Sequence, residues 1–183
     1  FVPRETPRTR VSVDGGLRWY GGPSPFVRLR TRRIWEFDEW AFRATHRVYW
    51  FQHRGFGTQL NLDFDRWLDD SHFFRYTPSA IWSEESSGVD WRQSLSIYHY
   101  ITDNRMIGAV VDVQGITHPT FRPEKYEATL RWRQQTKRDW IFFEVRPGLA
   151  FPRDNEFQPT VIVTFRLDFL FGDEDLPWTV KPR

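Results

Sequence analysis

Hydrophobic and polar residues alternate with a period of two along most of the chain, from about residue 8 to residue 171. Side chains of a β-strand point alternately to its two faces, so this period predicts strands, whereas helical periodicity is nearly absent. Clusters of turn-forming residues separate the alternating segments, as connections between strands require. The pattern predicts ten strands at residues 8–20, 26–36, 40–52, 56–67, 73–83, 89–101, 105–116, 126–136, 140–151 and 160–171.

The predicted strands are long, at roughly 11–13 residues each, whereas strands of globular proteins typically have five or six residues. A strand of about ten residues, tilted by about 45°, crosses the hydrocarbon core of a bilayer. The connections EFDE, LDDSH, TDNR and KRD are short and charged, and they alternate with a set that includes the longest two, THPTFRPE and RDNEFQ. Short turns at one end and longer loops at the other are typical of outer-membrane barrels, with both chain ends on the short-turn, periplasmic side.

The last predicted strand, TVIVTFRLDFLF, has the clearest separation of faces. One face carries only apolar side chains, and the other includes Arg166 and Asp168. A face in lipid excludes charges, because a charge at mid-depth costs roughly 2–4 kcal/mol, whereas the opposite face can line a polar lumen. The alternative is a soluble antiparallel sandwich that buries its apolar faces. Charges at strand centres and aromatic residues near strand ends favour the barrel.

The fold class that follows is all-β, an antiparallel transmembrane β-barrel with about ten strands in residues 8–171. Residues 1–7 are expected to form an N-terminal periplasmic extension, and residues 172–183 a C-terminal tail. The chain begins FVPRETPRTR without Met, so we expect a mature form or a fragment of a longer protein.

Composition narrows the class of protein further. Aromatic residues make up 18% of the chain and Trp alone occurs 10 times, although 27% of residues are charged. Trp and Tyr concentrate where a membrane meets water, which suits a barrel. No uncharged run exceeds about ten residues, against the roughly 18 that a transmembrane helix needs, so a helical membrane protein is excluded. Cysteine is absent, which excludes disulfides and thiol chemistry, and the net charge of +2 indicates an anionic partner only weakly.

The polar parity of the predicted strands is rich in arginine. Rings of Arg can form an anion-selective constriction, but charged side chains can also fill a narrow barrel as a salt-bridged plug. For ten strands the plug is favoured, and strands preceding residue 1 would favour a channel. The candidate lumen-lining and solute-binding residues are Arg28, Arg30, Arg32, Arg43, Arg47, Arg75, Arg131, Arg133, Arg146, Arg166, Asp63, Asp112, Glu127, Glu144 and Asp168.

Catalysis has little support in the sequence. An outer-membrane lipid hydrolase needs a nucleophile within reach of a base, and QSLSIYHY offers Ser94, Ser96 and His99. Ser96 and His99 are three residues apart, so a strand places them on opposite faces. We therefore predict no catalytic residues and no enzyme.

Metal, cofactor and nucleic-acid binding have no better support. No compact set of His, Asp and Glu ligands is present, and the LDDSH segment is interpreted as a turn rather than a calcium site. The arginines of VRLRTRR alternate along one strand, which indicates lumen lining rather than nucleic-acid binding. We predict no metal, no cofactor and no nucleic-acid partner.

The segment TVIVTFRLDFLF resembles the C-terminal β-signal of bacterial outer-membrane proteins, in which alternating hydrophobic residues end on an aromatic residue. The resemblance implies that Phe165, Leu167, Phe169 and Phe171 form an assembly signal read by the barrel assembly machinery. In that family pattern the aromatic residue is usually the last one, whereas here GDEDLPWTVKPR follows it.

The wider chain resembles a group of uncharacterised proteobacterial outer-membrane proteins over most of residues 11–172. The shared blocks are DGGLRW, PSPFVRLR, WSEESSGVDW, LSIYHYITDNR and RDWIFFEVRPGLAFPR. The resemblance implies the outer membrane of a Gram-negative bacterium, with the lipid bilayer and lipopolysaccharide as surroundings, but no settled activity. Members of the group are often longer at the N-terminus, which implies that this chain can be the C-terminal part of a larger barrel.

The predicted function is an integral outer-membrane barrel, either a pore or a plugged structural barrel with an Arg-rich, salt-bridged lumen. The main alternative is a membrane anchor or scaffold subunit of an envelope complex, which binds a lipoprotein or a periplasmic partner. A lipid hydrolase is the least supported alternative.

Overall fold

The protein forms one sheet of antiparallel strands that follow one another in sequence order. The structure is a computed structural model that describes residues 8–169 except 20, 21, 53, 103, 137 and 139, with only the backbone at residue 18. Within these residues the one helical element is a 3-10 turn at Arg153–Asn155. The strands are β1 Arg8–Trp19, β2 Pro23–Glu36, β3 Trp40–Phe51, β4 Gly55–Trp67, β5 His72–Ser83, β6 Val89–Thr102, β7 Arg105–Ile116, β8 Arg122–Gln135, β9 Ile141–Pro152 and β10 Thr160–Phe169.

In the described part of the chain, no helix is both long enough and apolar enough to span a membrane.

The prediction of ten antiparallel strands is confirmed, with boundaries that shift by a few residues. The largest shifts are at β2 and β8, which begin at Pro23 and Arg122 rather than at residues 26 and 126. Prolines at these strand starts led the prediction to place turns there, but a strand tolerates proline at its beginning. The predicted extension at residues 1–7, the tail at 172–183 and Phe171 lie outside the described residues.

Two prolines lie in the middle of strands, Pro78 in β5 and Pro147 in β9, and each coincides with an interruption of one ladder. The β4–β5 ladder breaks between Asn61–Ser79 and Phe64–Tyr76, where Pro78 lies, and the β8–β9 ladder breaks where Pro147 lies. Proline has no N–H to donate, which explains the local loss of pairing. The register is the same on both sides of each interruption, so the alternation of the two faces continues.

The two faces of the sheet differ sharply in exposure. The apolar face carries side chains that are largely exposed, among them Leu95, Val111, Leu130, Val163 and Phe165. The polar face carries the buried charged and polar side chains Thr45, Asp65, Ser96, Asp112, Thr129, Arg131, Arg133 and Glu144. This distribution is the reverse of the apolar-in, polar-out arrangement of a soluble sandwich, and the described strands form a single sheet rather than two packed layers.

Polar residues on the apolar face are few and are mostly hydrogen-bonded within that face. His46 Nε2 and Thr58 Oγ1 lie 2.7 Å apart, and the Tyr76 hydroxyl donates to Gln93. The guanidinium of Arg33 lies 5.0 Å from the ring centroid of Trp35, close to the end of β2. On β2 to β6, the middle of the apolar face therefore carries no charged Arg, Lys, Asp or Glu side chain.

Exposed tryptophans lie near the strand ends. Trp19 ends β1, Trp40 begins β3, and Trp50 and Trp82 are next to the last residues of β3 and β5. Trp40 is at one end of the sheet and the other three are at the opposite end. This placement agrees with the clustering of aromatic residues near strand ends that was predicted from the sequence.

The connections define two ends of the sheet. Among the described residues, the short-turn end carries 37–39, 68–71, 104, 136, 138 and 140, and the opposite end carries 22, 52, 54, 84–88, 117–121 and 153–159. The asymmetry is smaller than expected, because β8 begins inside the predicted loop THPTFRPE.

Asp69 organises the turn between β4 and β5 at the short-turn end. The backbone N–H groups of Ser71 and His72 donate to its Oδ1 at 2.7 and 2.8 Å. Chiefly because of the Ser71 N–H, the pKa of the Asp69 carboxyl lies well below its usual range. This geometry confirms the interpretation of LDDSH as a turn.

Candidate functional site on the polar face

All candidate lumen residues lie on the polar face, but they do not form one group. Cross-strand register and ion pairs divide them into two networks toward the short-turn end and an arginine-rich corner on the first strands. The parity of each strand, read from the sequence, was sufficient to assign the face of every one of these residues.

The first network centres on Glu144 of β9, a residue with 0% exposure. Its Oε2 accepts from Arg131 Nε at 2.6 Å and from Arg133 Nη1 at 3.4 Å, while Arg146 donates to Oε1. Three guanidiniums therefore surround one carboxylate. A buried carboxylate is tolerated only when it is paired and hydrogen-bonded in this way.

The Glu144 network extends in both directions along the sheet. Arg133 Nη1 also donates to Asp168 Oδ2 of β10 at 2.7 Å, and Arg166 Nε donates to Asp168 Oδ1 at 2.6 Å. On the other side, Arg131 Nη1 donates to the Tyr98 hydroxyl of β6 at 3.1 Å. The network thus links strands that are two apart in the sheet.

The second network centres on Asp65 of β4. Arg75 of β5 binds it through two parallel bonds, Nε to Oδ1 at 2.6 Å and Nη2 to Oδ2 at 2.7 Å. Arg43 of β3 lies 3.7 Å from Asp65 and donates to Asp63 at 3.4 Å, and Thr77 donates to Asp63 at 2.9 Å. Paired fork-like contacts of this kind are the strongest form of Arg–carboxylate interaction.

An aromatic floor packs between the two networks. It consists of Trp67, Phe73, Tyr98, Tyr100 and Met106, which lie on the polar face near the short-turn end. Phe73, Tyr98 and Met106 are buried, and the Arg75 and Arg131 guanidiniums lie 5.1 and 5.6 Å from the Phe73 and Tyr98 ring centroids. The floor and the networks together fill the short-turn half of this face.

The sequence analysis missed this floor. Near the short-turn end both parities of β5 and β6 are apolar or aromatic, so Phe73 and Tyr98 were not separated from Phe74 and Ile97. The available signal was register: Phe73 and Tyr98 lie directly opposite each other, two residues from the polar-face pair Arg75 and Ser96.

A cavity of about 570 Å³ lies on the polar face toward the opposite end. Hydrogen-bonding side chains of β4, β5 and β6 line it, including Gln59, Asn61, Ser79, Asp90 and Arg92. Arg92 forms an ion pair with Asp112 of β7, with 2.9 Å between Nη2 and Oδ2. The polar face is therefore filled at one end and open at the other.

The arginine-rich corner lies on β2 and β3. Arg30 is directly opposite Arg47, and Arg28 and Arg32 flank Arg30 on the same face. Arg28 Nε donates to Asp14 Oδ2 of β1 at 3.0 Å, and Arg47 Nη1 donates to Gln59 Oε1 at 3.1 Å. Cations are therefore in excess at this corner, which is the feature on which the predicted anion-selective alternative depends.

The remaining candidates are Glu127 of β8 and the residues Ser96 and His99 of β6. Glu127 pairs with Lys125 on β8 and lies opposite Asp112. Ser96 is buried on the polar face, whereas His99 is exposed on the apolar face and stacks on His72 at 4.6 Å between ring centroids. Ser96 and His99 therefore do not form a dyad. Among the described residues, no group of three or more His, Cys, Asp or Glu side chains is placed to hold a metal ion.

Comparison with protein-family models, with curated proteins and with solved structures returns no match to this chain. The resemblance to proteobacterial outer-membrane proteins therefore stays a prediction, and the functional argument rests on the geometry of the two faces.

Replacing the buried acceptor of the first network tests its role. We expect Glu144→Gln to destabilise the fold by about 3–5 kcal/mol, because three guanidiniums lose their shared charge in a buried site. The measurement is the free energy of unfolding in urea for the protein folded in detergent or lipid vesicles.

The matched control is Glu39→Gln, which removes an exposed partner of Arg66 that lies 3.2 Å away. Exposed ion pairs contribute about 0–1 kcal/mol, so this variant should unfold like the parent protein. Equal effects of the two substitutions would contradict a structural role for the Glu144 network.

Proposed function

We propose that the protein is a transmembrane β-barrel of the Gram-negative outer membrane, with the apolar face in lipid and the polar face as its lumen. The single observation that carries the proposal is the inverted burial of the two faces: Glu144 has 0% exposure, whereas Phe165 is 70% exposed. In water this arrangement would expose a broad apolar surface, which soluble monomers rarely do. In a bilayer the same surface is solvated by hydrocarbon.

We further propose that the lumen is closed at its short-turn end, so that the protein is a structural barrel rather than an open pore. The support is the aromatic floor together with the Glu144 and Asp65 networks, which fill that half of the polar face. A barrel of about eight strands leaves room for side chains only, and large buried Arg side chains can fill a slightly wider one. The short-turn end corresponds to the periplasmic side, so the open cavity faces outward.

A charge placed on the middle of the apolar face tests the membrane proposal. Leu95 lies midway along β6 and is 48% exposed. We expect Leu95→Arg to cost about 2–4 kcal/mol of folding free energy in lipid vesicles, because the charge would enter hydrocarbon. A urea titration measures this cost, with folding monitored by the difference in mobility between unheated and boiled protein on a detergent gel.

Leu68→Arg is the matched control, because Leu68 is 50% exposed but lies in the turn between β4 and β5. In water, exposed substitutions of this kind usually change stability by less than about 0.5 kcal/mol, so a soluble protein would tolerate both variants equally. Equal tolerance, or a parent protein that stays monodisperse without detergent, would refute the membrane proposal.

Conductance in planar bilayers tests closure of the lumen separately. We expect no discrete current steps from the parent protein, because the buried networks and the floor would block the proposed lumen at its short-turn end. A porin incorporated into the same bilayers serves as the positive control. Reproducible steps that favour anions would instead support the open, arginine-lined pore.

A further inference from the structure

The two edge strands of the sheet leave their outer backbone groups without a strand partner. β1 pairs with β2 and β10 pairs with β9, and within the described residues no ladder joins β1 to β10. Hydrocarbon cannot hydrogen-bond these N–H and C=O groups, so a membrane-spanning sheet has to pair its edges. The candidates are pairing of β1 with β10, pairing with a second copy, and pairing with additional strands.

Resting on the proposed function, we infer that β1 and β10 close the sheet on each other in one register, with Asp14 directly opposite Arg166. An even number of strands makes β1 and β10 antiparallel, as this closure requires. The two strands also match in length, with 12 and 10 residues. This inference assigns to each edge the other edge of the same chain as its partner.

The register of the existing ladders limits the ways in which the sheet can close. Residues that lie directly opposite each other on successive strands form a row across the sheet. The row runs from Arg8, at the start of β1 and the short-turn end, to Thr160, at the start of β10 and the opposite end. Its members are Arg8, Ile34, Arg43, Asp63, Thr77, Ser94, Asp112, Glu127, Ala150 and Thr160. Closure places Thr160 opposite a residue of β1 that follows Arg8 in sequence. The number of residues between Arg8 and that residue sets the tilt of the strands.

Facing parity and tilt leave three registers. A residue on the polar face of β1 must lie opposite a residue on the polar face of β10. Asp14 can therefore lie opposite Ile162, Thr164, Arg166 or Asp168. With a rise of about 3.3 Å per residue and about 4.8 Å between strands, these registers give tilts of roughly 29°, 35°, 40° and 44°. Barrel strands tilt by about 35–45°, which removes the Ile162 register.

Charge distinguishes the remaining three registers. Placing Asp168 opposite Asp14 sets like charges face to face, which is unfavourable. Placing Thr164 opposite Asp14 sets Arg10 opposite Asp168, which already accepts from Arg133 and Arg166, and leaves Asp14 without a charged partner across the seam.

The Arg166 register uses an acceptor that the other registers leave open. Both Arg28 contacts with Asp14 fall on Oδ2, at 3.0 Å each, which leaves Oδ1 of Asp14 to accept from Arg166. Charge complementarity across the seam therefore favours Arg166 opposite Asp14.

Glycine placement supports the same register independently. In this sheet aromatic rings repeatedly lie directly opposite a glycine: Phe26 opposite Gly16, Tyr49 opposite Gly57, Tyr98 opposite Gly108 and Trp91 opposite Gly115. A Cβ on Gly57 or Gly108 would approach the facing tyrosine ring to 2.4 or 2.3 Å, so the rings use the space that the missing side chains leave. The Asp14–Arg166 register places Phe165 opposite Gly15, where a Cβ would meet only Phe26 O at 3.6 Å.

Closure in this register would join the networks into one belt of alternating charges. The belt would run from Arg28 through Asp14, Arg166, Asp168 and Arg133 to Glu144. The barrel radius would be ~10 Å, which side chains as long as Arg can bridge from opposite walls.

Disulfide cross-linking tests the seam directly, because the chain contains no cysteine. Val13 lies on the apolar face of β1, and the three registers place it opposite Leu167, Phe165 or Phe169. We prepare Val13→Cys paired with Leu167→Cys, Phe165→Cys or Phe169→Cys in the full chain, fold each in detergent, and oxidise with a membrane-permeable catalyst. We expect the Leu167 pair to form an intramolecular disulfide at least ~10-fold faster than the other two.

A charge exchange covers the case in which a cysteine pair disturbs folding. Asp14→Arg and Arg166→Asp should each lower the thermal midpoint of the folded gel band, because each also loses its contact with Arg28 or Asp168. The double exchange should lower the midpoint by clearly less than the sum of the two single losses, because the pair across the seam is restored. Preferred cross-linking of another pair, or a double exchange whose loss equals that sum, would overturn the register.

The outcomes also separate this inference from the proposed function. Disulfide-linked dimers from a protein that still needs detergent to fold would overturn the self-closed seam and leave the membrane barrel standing. An intramolecular disulfide in a protein that is monodisperse in plain buffer would leave the seam standing and overturn the membrane barrel.

Discussion

The structure depends on pairing and hydrogen bonding of the charged side chains on the polar face of a single sheet. Glu144 cannot be left alone at 0% exposure, because an unpaired buried carboxylate costs several kcal/mol. Arg131 and Arg133 of β8 reach it through the observed β8–β9 register, and Arg146 lies two residues along β9 on the same face. No second layer covers this face in the described part of the chain, so the sheet has to curve toward it for neighbouring side chains to bury one another. Pairing, register and curvature therefore depend on one another.

The same constraint explains why the polar face is unevenly filled. Toward the short-turn end, ion pairs and aromatic rings pack together, and the guanidiniums of Arg75 and Arg131 lie over Phe73 and Tyr98. Toward the opposite end, smaller polar side chains such as Asn61 leave a cavity of about 570 Å³. In the proposed barrel, such an interior would support the wall rather than form a path for solutes, which suits the proposed structural role.

Much of the fold was predictable from the sequence because the period of two is strong in most strands. In β10, Arg166 and Asp168 alternate with Phe165, Leu167 and Phe169, so each side chain's face follows from parity alone. Which charges pair was not predictable, because pairing depends on register between strands. Glu144 was assigned to the polar face, but its contact with Arg131 requires the β8–β9 register. The aromatic floor was also missed, since near Phe73 both parities are apolar and the period disappears.

The central claim is that hydrocarbon solvates the apolar face, and a nitroxide scan along β7 tests it most directly. Single cysteines at successive positions from 106 to 113 carry the spin label in lipid vesicles, and collision rates with oxygen and with a water-soluble nickel complex are measured by electron paramagnetic resonance. The account predicts a period of two in oxygen accessibility, with high oxygen and low nickel accessibility at Ile107, Ala109, Val111 and Val113, and low accessibility to both at the buried positions 106, 108 and 112. Nickel accessibility that exceeds oxygen accessibility at the four apolar positions would contradict it.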